Sequence, residues 1–157
     1  MPVSTYTSAI VEATSEVLST MAGMQPQAGA PSVKKDTKAW GDVTGIISLV
    51  GSSIKVSVAV TMTRPVIIDI IKRMAGLDSN GADEVAISTA GEIANMVAGV
   101  AQRSLENVYD CCFSISLPTV VSGENHLVIH KFEGVTTAIP FLTGSGTFFV
   151  EFCCTAA

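Results

Sequence analysis

A chain of 157 residues is long enough for one domain with a sizeable core. Hydrophobic residues make up 48% and charged residues only 15%, which excludes disorder over most of the length. A formal net charge of −5 offers nothing to track a phosphate backbone, and the apolar runs fall short of the roughly 20 residues a membrane helix needs. Nucleic acid and membrane are therefore set aside as partners.

The first pattern is helical. Between Thr5 and Ala22, Tyr6, Ile10, Ala13, Val17 and Met21 fall on one stripe, and Gly23 is a plausible stop. Residues 24–36 read as a loop, with a Pro/Gly/Ala-rich stretch from Met24 to Ser32 that carries no periodicity. The β-branched runs Val43–Val50 and Ile54–Met62, separated by Gly51-Ser52-Ser53, predict a hairpin.

Thr63-Arg64-Pro65 marks a second helix, with Thr63 as N-cap, running to about Met74 and stopping at Gly76. A third and longer helix is expected from Ala82 to Leu105. Ile93, Val97, Val100, Ala101 and Leu105 form its apolar stripe. Ser88, Glu92, Asn95, Gly99 and Gln102 recur at steps of four and three, so they share a different face. That face carries a carboxylate, a carboxamide and a glycine where a solvated helix would carry Lys/Glu pairs. Gly99 costs about 1 kcal/mol of helix propensity relative to Ala, a cost that close approach of another surface would explain.

The C-terminal third reads as strands: Cys111–Val121, a Ser122–Asn125 turn, His126–Phe132, then a hairpin of Ala138–Leu142 and Thr147–Cys154 around Thr143–Gly146. Helices and antiparallel hairpins are grouped rather than alternating, which predicts an α+β fold in a single domain over residues 1–157. Its parts are an N-terminal helix to residue 23, a loop over 24–36, and the main sheet and long helix over 42–157.

Ser88, Glu92, Asn95 and Pro118 stand at intervals of four, three and twenty-three residues. This spacing resembles the signature of the CheC/CheX/FliY chemotaxis phosphatases, in which Asp or Ser, Glu, Asn and Pro occupy those positions. The flanks Gly91–Gly99 and Leu117–Gly123 are also similar to CheX, and the likeness runs from about Asp42 to the C-terminus. The resemblance implies a mixed or antiparallel sheet with two long helices together on one face. It implies a phosphatase acting on the aspartyl phosphate of a CheY-type response regulator. By that likeness Asn95 positions the attacking water and Glu92 contacts the regulator's active-site lysine, making these the candidate catalytic pair.

Ser88, Gly99 and Gln102 are the candidate partner-binding residues, and Pro118 is assigned a structural role. The protein would bring no cofactor of its own, the Mg2+ being supplied by the bound regulator. Members of the family commonly form homodimers by joining sheet edges, so a homodimer is expected. On the first helix Ser8, Glu12 and Ser15 repeat the Ser88/Glu92/Asn95 spacing with Ser in place of Asn. They read equally well as a degenerate second copy or as coincidence, and one active site per chain is expected. The alternative function is a non-catalytic adaptor that binds a response regulator or flagellar-switch component through the same helix. A ligand-holding sensor would need a cavity between sheet and helix.

Asn95 cannot act as a general base at neutral pH, but its carboxamide offers an acceptor oxygen and two donor hydrogens with which to hold a water. Other candidates are weaker. His126 and His130 would be about 13 Å apart on a strand, too far for one metal ion. The four cysteines form two vicinal pairs, Cys111-Cys112 and Cys153-Cys154, in neither a zinc nor a disulfide pattern, and read as core or sheet-surface thiols. Gly144-Ser145-Gly146 lacks the Lys and helix of a phosphate loop. Asp83 and Glu84 are expected to favour the dipole of the long helix. With no basic or apolar leader in Met1–Ser4, the expected compartment is the cytoplasm.

Overall fold

The computed structural model describes residues 3–156; Met1, Pro2 and Ala157, counted in the predicted domain, lie outside the described residues. The chain opens with α1 (Val3–Ala22), followed by the short strands β1 (Gln27–Ala28) and β2 (Ser32–Lys34). The hairpin β3 (Val43–Val50) and β4 (Ile54–Met62) leads into α2 (Arg64–Ala75) and then α3 (Glu84–Tyr109). The short β5 (Ser114–Ile115) and β6 (Thr119–Ser122) precede the hairpin β7 (Thr136–Thr143) and β8 (Gly146–Ala156). All the strand pairs are antiparallel, in one sheet ordered β1-β7-β8-β4-β3-β5, with β2 also on β7 and β6 also on β3. This is an α+β fold with the helices on one face.

Strand alternation assigns the two faces. Val43, Ile47 and Leu49 of β3, Val56, Val58, Val60 and Met62 of β4, and Phe148, Val150 and Phe152 of β8 point at the helices and are buried. Phe141 stacks on Phe148 across the β7–β8 pair at 5.1 Å between centroids. Fully burying side chains of this size contributes about 1.5–3 kcal/mol each, so this layer is the main source of stability.

The other face carries Thr44, Ser57, Thr61 and Glu151, all buried although polar. What covers them is the irregular segment over residues 123–135. This corrects the expected His126–Phe132 strand: only one isolated bridge, Lys38 to Leu127, forms there. The segment crosses the sheet and is held by side chains instead of a strand ladder. His126 Nε2 bonds Thr44 Oγ1 at 2.6 Å, and Thr44 Oγ1 bonds Thr61 Oγ1 at 2.7 Å. His130 bonds Ser57 Oγ through Nδ1 at 2.7 Å and Glu151 Oε1 through Nε2 at 2.9 Å. The two imidazoles thus fasten one strap to different strands.

Three further expectations change. The 24–36 loop contains β1 and β2, which pair with β7 more than a hundred residues away and so leave no local periodicity to read. Thr63 occupies the N-cap position of α2 but makes no capping hydrogen bond; Asp42 Oδ2 accepts from the Arg64 N–H at 2.8 Å in its place. The Cys111–Val121 strand is broken. Leu49 pairs with Ile115 and Ile46 with Thr119, so residues 116–118 oppose only residues 47–48 of β3. That extra residue is a β-bulge, and it contains Pro118, which has no N–H to give to a ladder. As a result Cys111, Phe113, Ile115 and Leu117 do not share a buried face: Phe113 is buried while Leu117 is 90% exposed.

Candidate active site

The site is built on α3, and the sequence shows why that helix is long and fixed. Asp83 is its N-cap: its Oδ1 accepts from the Ala86 N–H at 3.0 Å and from the Ser79 hydroxyl at 2.7 Å. These bonds hold its carboxyl below the usual carboxylate range, the Ser79 hydroxyl contributing most. Asp83 is therefore a specific cap, beyond the general dipole effect expected of it. The helix runs one turn past Leu105 and ends at Asp110 in the left-handed conformation, φ 47°.

Small residues set the packing. Ala86, Ala90, Gly91, Ala94, Ala98 and Ala101 are buried, interleaved with Ile93, Val97 and Leu105. A methyl group on Gly45 of β3 would lie 2.6 Å from the Ala90 carbonyl oxygen and 2.8 Å from Ala94 Cβ. Helix and strand touch here, which leaves no room for a ligand between them. On the flank, a Cβ on Gly91 would come 3.1 Å from Val120 Cγ2 and 3.8 Å from Pro118 Cγ. Pro118, distant in sequence, thus stands beside the turn of α3 that carries Glu92. The bulge holding it is pinned by Ser116, whose N–H donates to the Ser48 carbonyl while its Oγ accepts from the Ser48 N–H, each at 2.9 Å.

Against this rigid backing the opposite face is open. Ser88, Glu92 and Asn95 are exposed, and Gly99 and Gln102 are half-buried. At 1.5 Å per residue the stretch from Ser88 to Asn95 covers about 10 Å along one face. Among the described residues, none holds Glu92 or Asn95 by a side-chain hydrogen bond or ion pair. Both present their polar ends to whatever approaches. Gln102 differs: its amide nitrogen donates to Glu106 Oε1 at 3.1 Å and to the Phe113 carbonyl at 2.9 Å. Glu106 in turn accepts from the Phe113 N–H at 2.9 Å, and that bond, with the Gln102 amide second, lowers its carboxyl pKa. This end of the face ties α3 to the chain that follows it.

Helix α1 lies antiparallel to α3, with Tyr6 stacked on Tyr109 at 5.8 Å. Ser8 and Glu12 are exposed and line a shallow depression with Ser104 and Val108, while Ser15 is half-buried. Toward the other end of α1, Met21 joins Asn95, Met96, Gly99 and Val100 around a groove. Spacing within one helix could not reveal this groove, because α1 supplies one of its walls. Gly45 could have been noticed, since an isolated glycine inside a β-branched strand signals close approach.

The thiols lie elsewhere. Burial pushes the Cys154 thiol up to about 12, and it raises those of Cys111 and Cys153 as well. Cys153 Sγ donates to the Phe132 carbonyl at 3.3 Å. These are packing and strap contacts, remote from a nucleophile's need for a stabilised thiolate. Among the described residues no cluster of His, Cys, Asp and Glu is arranged to hold a metal ion, and no helix is long and apolar enough to cross a membrane.

A family model described as chemotaxis phosphatase CheX matches residues 43–142. The chain is 29% identical over 133 residues to the CheY-P phosphatase CheX of Thermotoga maritima, covering 84% of this chain and 83% of that protein. The crystal structure of a CheC-like superfamily protein from Shewanella sp. PV-4 is similar at 35% identity and a TM-score of 0.89, with 99% of both chains covered. The fold also matches the CheX of the CheX–CheY–BeF3–Mg2+ complex from Borrelia burgdorferi, at 22% identity and a TM-score of 0.78 over 95% of this chain and 97% of that one. The matched segment contains the hairpin under α3, all of α3 and the Pro118 bulge, so the chain belongs to the CheX family of chemotaxis phosphatases.

Proposed function

We propose that this protein hydrolyses the aspartyl phosphate of a CheY-type response regulator, with the Asn95 carboxamide orienting the attacking water. The observation that carries the reading is the exposed pair Glu92 and Asn95, one turn apart on a helix clamped from behind by Gly45 and Gly91. A fixed amide can hold water in line with a phosphorus atom; a mobile one cannot do so without losing orientational advantage. Phosphoryl transfer depends mainly on positioning and charge stabilisation, and a hundredfold gain needs only about 2.7 kcal/mol.

The role of Glu92 in this scheme is to pair with the regulator's active-site lysine and fix the docking register. Ser88 and Gly99 contact the partner on either side. Gln102, whose amide nitrogen is already engaged, lies at the far margin of the contact. Mg2+ arrives with the regulator. The Thermotoga relative's activity toward CheY-P supports the substrate class, and the Borrelia relative's complex with CheY, BeF3 and Mg2+ supports the partner. The expected homodimer belongs to the same reading; the short, partly exposed edge formed by β5 and β6 supports it, and sedimentation velocity tests it.

The test is the rate of phosphate release from a phosphorylated, Mg2+-loaded CheY-type regulator of the same organism, alone, with this protein, and with Asn95→Ala. The expected outcome is acceleration by the wild type that is lost in Asn95→Ala while binding persists. Binding without acceleration by the wild type would make the protein an adaptor and overturn the catalytic reading.

A further inference from the structure

Gly99 stands in the interior of α3, where glycine costs about 1 kcal/mol relative to alanine. The fold does not require it. Gly91 has a packing reason, since Val120 lies against it, but a Cβ on Gly99 would meet no atom within 4 Å. Nor does the backbone need glycine there, because Gly99 is not among the residues with positive φ. The missing side chain instead leaves the floor of the groove between α1 and α3 open. That groove has a volume of about 340 Å³, with Met21, Met96 and Val100 as apolar walls and Asn95, Glu16 and Arg103 at its rim.

We infer that this groove receives an apolar side chain from the surface of the phosphorylated response regulator, seated on Gly99 one helical turn from Asn95. The inference rests on the function proposed above and names where that partner is gripped. Continuity argues for the occupant. Gly99 is four residues from Asn95, about 6 Å along the helix, so the body that covers Asn95 during hydrolysis must also cover the groove. An apolar centre with charges of both signs at its edge has the layout of a docking site with a polar rim. Methionine walls can adjust to the shape of an inserted side chain. A knob held at Gly99 would fix the rotation of the regulator about α3, which the Glu92 contact alone leaves free.

The experiment uses the full chain and its variants Gly99→Leu and Met21→Glu. Neither residue contacts the phosphoryl group, and the space above Gly99 admits a side chain. Affinity is measured for the same organism's CheY-type regulator loaded with beryllofluoride and Mg2+, and phosphate release is measured against regulator concentration. Both variants are expected to lose at least tenfold in affinity and to raise KM by a similar factor. The urea midpoint of Gly99→Leu should be no lower than wild type, which separates lost docking from lost folding. Unchanged affinity in Gly99→Leu overturns the inference whatever the wild-type activity. Loss of self-association in the variants with regulator binding intact also overturns it, since the occupant would then be a second copy. Weakened regulator binding alongside a wild type that never accelerates hydrolysis leaves the groove standing and removes the catalytic reading. A wild type that does not bind the regulator removes both.

Discussion

Gly45 and Ala90 meet so closely that a methyl group on Gly45 would lie 2.6 Å from the Ala90 carbonyl oxygen. That contact is backbone against backbone, so neither side can rotate out of the way. Gly45→Ala must lift α3 from the sheet or bend β3, and is expected to cost about 1–3 kcal/mol. Because Asn95 lies one to two turns further along α3, the displaced helix should also lose phosphatase activity. Gly99→Ala should do the opposite for stability. It fills open space on a helix and should add up to about 1 kcal/mol. Urea denaturation of both variants checks the pair: equal effects of one sign would mean that the helix–sheet distance is not fixed at Gly45.

The acid limb of stability should involve Asp83 and Glu106. Both have folded-state pKa values below their ordinary ones, Asp83 through the Ser79 hydroxyl and Ala86 N–H, Glu106 through the Phe113 N–H and the Gln102 amide. A depressed carboxylate binds its proton more weakly in the folded state. Its stabilisation is therefore complete above the unfolded value, about 4, and is lost as pH falls through the folded one. The urea midpoint should fall below about pH 4 with a contribution from both groups. Asp83→Asn and Glu106→Gln keep an acceptor oxygen but cannot titrate, so each should flatten this limb. Unchanged steepness in both variants would place the acid sensitivity elsewhere.

How far the sequence carries the structure depends on where each element's hydrogen bonds go. The hairpin Val43–Val50 and Ile54–Met62 was legible to the residue because its two strands pair with each other across a short turn. The long helix was legible because Ile93, Val97 and Leu105 mark one side of it whatever they pack against. Its exposed face followed from helix geometry alone, which projects Ser88, Glu92 and Asn95 together. The strap over residues 123–135 was misread as strand because the short apolar, β-branched run Leu127-Val128-Ile129 looks like one. Its anchors are Thr44, Ser57 and Glu151, each supplied by a distant strand. The Pro118 bulge was partly legible, since proline argues against an unbroken ladder, but its register against Ser48 was not. Nor was the groove, whose α1 wall depends on an antiparallel packing that no single-helix period encodes.

Thiol accessibility should separate the cysteines. Cys112 is exposed, while burial raises the pKa of Cys111, Cys153 and Cys154, the last to about 12. Thiolate is the reactive form, so raising the pKa slows attack even where a reagent can reach. In native protein at pH 8, one fast-reacting equivalent at Cys112 is expected with an aromatic disulfide reagent, and four after unfolding in urea. Mapping the modified peptide checks the assignment. Fast reaction at Cys154 would mean that the C-terminal end of β8 opens far more readily than its pairing with β4 suggests.

The back of the sheet carries a buried ion pair whose removal should be costly in one direction only. Lys34 Nζ lies 2.9 Å from Glu151 Oε2, with both side chains 1% exposed, and is off the line of a well-formed hydrogen bond. Its attraction is therefore chiefly coulombic, supplemented by the Trp40 ring at 5.4 Å. Glu151→Gln retains an acceptor for His130 but strands the ammonium, and breaking a buried pair this way costs about 3–5 kcal/mol. Adding Lys34→Met removes the stranded charge and should recover most of that loss. Throughout, phosphate release per folded molecule should hold near wild type, because the pair lies on the face of the sheet away from α3. Urea midpoints and folded-fraction activities decide the matter. If Glu151→Gln alone is as stable as the double variant, the Lys34 ammonium has found solvent and the strap is looser than its two histidine anchors require.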